Sequence, residues 1–509
     1  MRIFFSNRAW PLVRKSLVAM TWGACLVACP AWVTAQTSLP TLGDGSELTA
    51  SAERRLGERI VRALYRDPEH IDDPVLADYV QGILQALLGA ARAGGTLSPE
   101  IDERFAWDIL LSRDRTVNAF ALPGGYLGVH LGLIGLTSTR DELASVLAHE
   151  LSHVTQRHIS RLITDQDRQT PLLLGAMLLG ALAASKNPAA TQALVVGGQA
   201  LVLQNQLNFS RTMEREADRM GYGLMAPAGF APQGFVGMFD KLQQANRLND
   251  NGSWPYLRSH PLTTERIADM QARIPPGQAT AQPPTLEHTL IAARARVLAS
   301  PGVDALRQWI AEPQATGFAS QPVPRRAAAL YAAALASNQL RDAAGARAAA
   351  RALDDLLRDE PAARRLGRLL NAEIELAAGD GDAALAALPE GSARRPELLL
   401  RMQALLHAGR PGEGTAALQT WIVVHPGDAS AWQLLASAWQ ALGQPLRAVR
   451  AEAEAHAARC DYGAALDRFR AGQDLARRST AAADHIEASI IDIRLRAMES
   501  LLREQAAER

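Results

Sequence analysis

The chain has 509 residues with 53 Lys+Arg against 53 Asp+Glu, so its formal charge is zero. That balance excludes the basic footprint of a nucleic-acid binder, and the length exceeds one compact domain. Aromatic residues are sparse, at 5%, while Ala and Leu abound, which predicts a largely helical protein.

The first 35 residues read as an export signal. Arg2, Arg8, Arg14 and Lys15 form a basic start, an apolar run follows from Leu17 to about Val33, and Val33-Thr34-Ala35 is a small-residue cleavage site. An uncleaved anchor is the competing reading, but the run is short for a membrane span. Leu26-Val27-Ala28-Cys29 also resembles a lipoprotein box, although Pro30 fits it poorly. Cleavage after Ala35 would leave Cys460 as the lone cysteine, which rules out an intramolecular disulfide.

Leu48 to Ala93 carries a helical pattern broken between Pro68 and Pro74. Phe105 to Leu111 reads as a strand, and Asn118 to Val129 as a hairpin turning at Pro123-Gly124-Gly125. Its first arm, with Asn118, Phe120 and Leu122, could offer a sheet edge to an extended peptide, because backbone pairing binds chains without demanding sequence. An ordinary core hairpin is the alternative.

Next comes the most informative stretch, Ala148-His149-Glu150-Leu151-Ser152-His153-Val154. Thr139 and Glu142 form a capping box, and the apolar spacing predicts one helix running on past Ile159 to Ile163. On a helix His149 and His153 lie one turn apart, so both imidazoles can reach one ion. Glu150, beside the first histidine, is placed to act on a metal-bound water.

After a polar break, Pro171 to Ala184 and Ala193 to Leu203 are apolar but too short to span a bilayer. They fit buried or hairpin helices packing on the core, or a mobile, membrane-facing or substrate-facing lid near the site. Then Ser210 to Gly221 predicts another helix, with Glu214 and Asp218 one turn apart. A zinc peptidase needs three protein ligands and an open fourth position. Glu214 is the candidate third ligand. Asp218 is the candidate partner for the spare N–H of a zinc histidine. Glu216 and His158 are rival ligands. A third histidine of the metzincin kind would fall at position 159, which is Ile.

H-E-L-S-H-V-T-Q-R-H followed by E-R-E-A-D-R-M-G resembles the gluzincin peptidases of the CAAX prenyl endopeptidase (HtpX-like) family. Asn118 to Tyr126 and the S-H-P segment at Ser259-His260-Pro261 carry the same likeness, which covers about residues 48–275. The resemblance implies one Zn²⁺ held by His149, His153 and Glu214, with Glu150 as the catalytic base. It implies that His260 can sit as a fourth, self-inhibitory ligand; by itself, a histidine before proline reads as a turn. Within the family, the likeness is to a periplasmic branch with tetratricopeptide repeats. That branch implies unfolded or stalled outer-membrane β-barrel proteins as substrates and the barrel assembly machinery as a partner of the repeats. Peripheral membrane contact is a further expectation.

From Pro275 the chain becomes a Pro/Gly/Gln linker and then Ala/Leu/Arg-rich helix. Trp432, Leu435, Ala436 and Trp439, followed by Gly443, Ala448 and Ala455, match a tetratricopeptide unit, and Gly409 lies one 34-residue repeat before Gly443. The expected fold is mainly α: an α+β zincin-like peptidase domain, helical with a small sheet, followed by an α-helical solenoid. The expected divisions are 1–35 signal peptide, 36–274 metallopeptidase, 275–286 linker and 287–509 repeats. The alternative function is a chaperone or scaffold that captures unfolded outer-membrane proteins with proteolysis held off.

Overall fold

The computed structural model describes residues 48–165, 210–247, 253–274, 283–299, 302–389, 391–478 and 484–507. The signal segment, the two apolar runs after Pro171 and the linker up to residue 282 lie outside these. In the first half of the chain, α1 is Ala50–Leu64, α2 Pro74–Ala93 and α3 Pro99–Arg104. The strands are β1 Asp108–Ser112, β2 Ala119–Leu122 and β3 Tyr126–His130. Then come α4 Leu131–Leu136, α5 Arg140–Thr155, α6 His158–Asp165, α7 Arg211–Met225, α8 Gln233–Arg247, α9 Tyr256–Ser259 and α10 Thr264–Ala272.

The sheet order is β1-β3-β2, with β3 parallel to β1 and antiparallel to β2. The predicted hairpin is therefore β2–β3, and β2 is an edge. Its turn works because Gly124 and Gly125 take φ +78° and +84°, a region that L side chains rarely adopt. The predicted strand from Phe105 starts later, at Asp108, because Trp107 has φ 51° and breaks the extended run. Every residue of β3 is buried.

The H-E-x-x-H helix is α5. Thr139 Oγ1 accepts from the Glu142 amide at 3.2 Å, and the Glu142 carboxylate accepts from the Ser138 amide at 2.6 Å, so the cap forms as expected, shifted by one donor. The helix does not run on to Ile163. Arg157, at φ 51°, ends it and starts α6 in a new direction. Leu143, Val146, Leu147, Ala148 and Leu151 of α5 are all buried. α7 packs along it at Gly221, where a Cβ would stand 3.0 Å from the Ala148 carbonyl. That close approach brings the α7 carboxylates level with the α5 histidines.

Beyond α10 the described chain is all helical. α11, Leu286–Leu298, packs on α2 and α4 as well as on α12, Val323–Gln339. Helices joined by short turns follow, each packed on the next, such as Ala429–Ala441 on Pro445–Ala458 and Pro445–Ala458 on Tyr462–Ala476. Gly409 and Gly443, predicted one repeat apart, both take φ 69° at helix-to-helix turns. Trp432, Leu435, Ala436, Trp439, Ala448 and Ala455 are buried together. One apolar core runs without a break from Ala50 in α1 to Leu400 in the array.

Candidate metal centre

Four buried side chains converge: His149 and His153 from α5, Glu214 from the first turn of α7, and His260 at the C-terminal cap of α9. One ligand atom of each lies within 4.8 Å of the others. His149 Nε2 is 3.0 Å from His153 Nε2 and 3.3 Å from His260 Nδ1. Glu214 Oε1 is 3.4 Å from His153 Nε2 and 3.1 Å from His260 Nδ1. Glu150, fully buried on the same helix, has its Oε1 3.5 Å from His260 Nε2.

Hydrogen positions test whether this pocket suits a cation. His149 Nδ1 lies 2.9 Å from Asp218 Oδ1, a carboxylate that only accepts, so the ring proton sits on Nδ1. Placing the His153 proton on Nδ1 likewise satisfies its 2.9 Å contact with His158 Nδ1. Both Nε2 atoms then present lone pairs to each other at 3.0 Å. That is repulsive unless a cation, a metal ion or a proton, lies between them. Neither oxygen of Glu150 accepts a hydrogen bond although both are buried. A set of neutral imidazoles and a carboxylate suits zinc.

Electrostatics agree with a site built for positive charge. Burial works against the protonated His149, yet Asp218 and Glu214 outweigh it and push its pKa up to about 10, so the position between the two Nε2 atoms favours a positive charge, proton or metal ion. Burial, with His149 and His260 beside it, drives His153 well down. Burial alone would raise Glu214, but His260, His149 and His153 hold its carboxyl well below the usual range.

Each expected site residue can now be placed. Asp218 does not join the cluster; it orients His149. Glu216 points the other way and takes up His158, 3.2 Å away, and Arg161, 3.1 Å away. Both rivals for the third ligand position thus stand behind His153. Burial lowers His158 to about 4, so it is neutral at ordinary pH. Asn118, Phe120 and Leu122 lie in or next to the edge strand β2, which packs against α5. Asn118 and Leu122 are buried; Phe120 is half-buried, its ring covering Gly128, where any Cβ would clash.

Two residues carry weight that sequence reasoning did not assign. Arg266 is 3% exposed and donates to Asp218 through two nitrogens, at 2.6 and 2.8 Å. Its Nη1 is 2.8 Å from Glu214 Oε2 and also donates to the Pro261 carbonyl. Arg266 thereby ties the S-H-P segment to both α7 carboxylates. Its signal was present in that segment, but only tertiary contact links position 266 to 218. Tyr256, four residues before His260, stacks on it with centroids 4.6 Å apart.

An H-E-x-x-H helix, a carboxylate from a second helix and a small sheet above them define a zinc metallopeptidase of the gluzincin type. The Peptidase family M48 model matches residues 79–274. The beta-barrel assembly-enhancing protease of Escherichia coli is 30% identical over 452 residues, 87% of this chain and 89% of that protein. A relative from Vibrio cholerae is 35% identical over 274 residues, 52% of this chain and 53% of that protein, so the chain matches about half its length. Mitochondrial metalloendopeptidase OMA1 of Saccharomyces cerevisiae is 27% identical over 203 residues, 38% of this chain and 55% of that protein. The chain belongs to the M48 metallopeptidases, in the beta-barrel assembly-enhancing protease family.

Proposed function

We propose that this chain is a periplasmic zinc endopeptidase of outer-membrane protein quality control, degrading misassembled β-barrel proteins and assisting their assembly. The name of the Escherichia coli relative, aligned over 89% of its length, supports this reading. The buried four-residue cluster carries the chemistry. His149, His153 and Glu214 hold the zinc. Bound zinc supplies Lewis acidity to the scissile carbonyl and to water. Glu150 takes a proton from the attacking water and returns it to the leaving amine. In the strand that carries Asn118, Phe120 and Leu122, those three residues turn their backbone groups to β3, and the outward-facing groups of Ala119 and Ala121 between them pair with an extended substrate. His260 occupies the place a substrate would need and holds the site closed until its segment moves.

The remaining divisions follow the same reading. Residues 1–35 direct export and are removed after Ala35. Residues 36–274 form the peptidase, 275–286 the linker, and 287–509 a tetratricopeptide-like array that takes unfolded barrels and contacts the barrel assembly machinery. Membrane contact is peripheral in this reading; among the described residues no helix is long and apolar enough to cross a membrane. The scaffold reading, with proteolysis permanently held off, is weaker because the metal constellation is complete.

The test is degradation of an unfolded β-barrel protein by the mature chain, its Glu150→Gln form and its His260→Ala form, with and without chelator. Cleavage by wild type, faster cleavage by His260→Ala, none by Glu150→Gln, and loss on chelation are expected. Cleavage that survives chelator would sink the metallopeptidase reading. Complementation of an assembly defect by Glu150→Gln would shift weight to the scaffold.

A further inference from the structure

One fully buried polar residue has no part in that mechanism. His158 opens α6, five residues after His153. On one continuous helix, residues five apart do not face each other. Here Arg157 takes the left-handed φ of 51° and folds the His158 ring back onto His153. The turn is held in place: Arg157 Nε is 3.2 Å from Glu53 Oε2, itself buried, and Nη2 is 3.2 Å from Ser160 Oγ.

The protons along this chain run in one direction only. With His153 Nε2 facing the metal position, its Nδ1–H donates to His158 Nδ1, 2.9 Å away. That nitrogen is then an acceptor, so the His158 proton sits on Nε2 and donates to Glu216 Oε2 at 3.2 Å. Arg161 Nη1, at 3.1 Å, fixes the same oxygen from the other side. His149 has a parallel arrangement, donating to Asp218, which Arg266 grips. α7 therefore supports both histidines, one directly through Asp218 and one through His158 and Glu216.

We infer that His158 is a positioning residue for His153: it fixes the Nδ1-protonated tautomer and the ring direction, so that Nε2 faces the metal, with Glu216 and Arg161 anchoring the far end. This rests on the zinc assignment. His158 is placed behind His153 and makes no ligand contact in this arrangement. A buried histidine that merely filled space would be replaceable by an apolar residue without consequence for the metal.

The experiment titrates zinc in the full mature chain against a chromophoric chelator and records the visible spectrum of the cobalt-substituted protein. His158→Leu should weaken zinc binding by about 10- to 100-fold, the usual cost of losing such a support, and shift the cobalt bands. Thermal melting of its metal-free form should stay near that of wild type. His158→Asn should recover part of the affinity, since its Oδ1 stands where the imidazole Nδ1 stood and can accept from His153, while the contact with Glu216 is lost. Wild-type affinity and an unshifted spectrum in His158→Leu would overturn the inference. Should that variant not fold, Glu216→Ala decides. Its side chain is 33% exposed and tolerates truncation, and it should show a smaller loss of affinity with a band shift of the same sign. No change in either would overturn the relay. A wild-type chain that binds no zinc would instead overturn the metal assignment, and the relay with it.

Discussion

The metal centre and the seam between the peptidase and the helical array both bury charge, and they complete it differently. At the seam Arg294, 3% exposed, meets Asp73 at 2.6 Å, Glu373 at 2.7 Å and the Tyr331 hydroxyl at 3.2 Å. Arg395 likewise donates to both Asp72 and Asp428, each through two nitrogens at 2.8–2.9 Å. Each of these guanidiniums is hydrogen-bonded to two carboxylates at once, so the donors and acceptors of the two networks answer one another. At the metal centre imidazole lone pairs face each other, and Glu150 lies buried without a donor. A network that satisfies itself is architecture; one that leaves buried acceptors aimed at a common point needs a ligand.

The largest effect should separate catalysis from both. Glu150→Gln should lower turnover by about 100-fold or more, the scale of lost general-base catalysis, while zinc stoichiometry by elemental analysis and the denaturation midpoint stay unchanged. A loss of bound zinc in that variant would make Glu150 part of the metal-holding set.

Arg294→Leu tests the seam. It leaves Asp73 and Glu373 buried and unpaired, at a cost of about 3–5 kcal/mol by denaturant titration, with zinc affinity unaffected. Weaker zinc binding there would mean that the two networks are coupled.

Asp218→Ala should act the other way round. It should weaken zinc by about 10- to 100-fold in chelator competition, since His149 loses the acceptor that sets its tautomer. Unchanged affinity would remove Asp218 from the site.

A smaller effect should follow pH at the seam. Burial works to raise the Asp72 carboxyl, but Arg395 and Ser430 outweigh it and leave it lowered. A lowered folded value means that Asp72 adds stability above the ordinary carboxylate range of about 4 and loses it as pH falls through that range and below. Wild type should lose more stability than Asp72→Asn between neutral and acid pH, and parallel curves would refute this. Breaking the exposed Arg410–Glu413 pair should leave the denaturation midpoint where it is.

How much of this was legible in the sequence depends on distance along the chain. The spacing of His149 and His153 sets one helix face, and the spacing of Glu214 and Asp218 sets another, so four site residues were readable from local periodicity. The turn at Gly124-Gly125 and the cap at Thr139 were readable for the same reason. The end of α5 was not. Nothing in an apolar pattern running on to Ile163 announces that Arg157 will adopt a left-handed turn, because that turn is held by Glu53, more than a hundred residues earlier.

By itself, then, the sequence determined the chemistry: which residue types stand one helical turn apart, and hence a zinc-peptidase constellation beside a mainly helical array. Only the tertiary structure decided how that chemistry is held. Glu216, a rival ligand in one dimension, became the anchor of His158. Arg266, a position inside a motif, became the cation that grips Asp218 and Glu214. Asp73, which caps α2, became one end of a buried pair with Arg294, 221 positions away. Periodicity fixes the directions in which side chains leave their own helix, but which group waits at the other end depends on how separate helices pack.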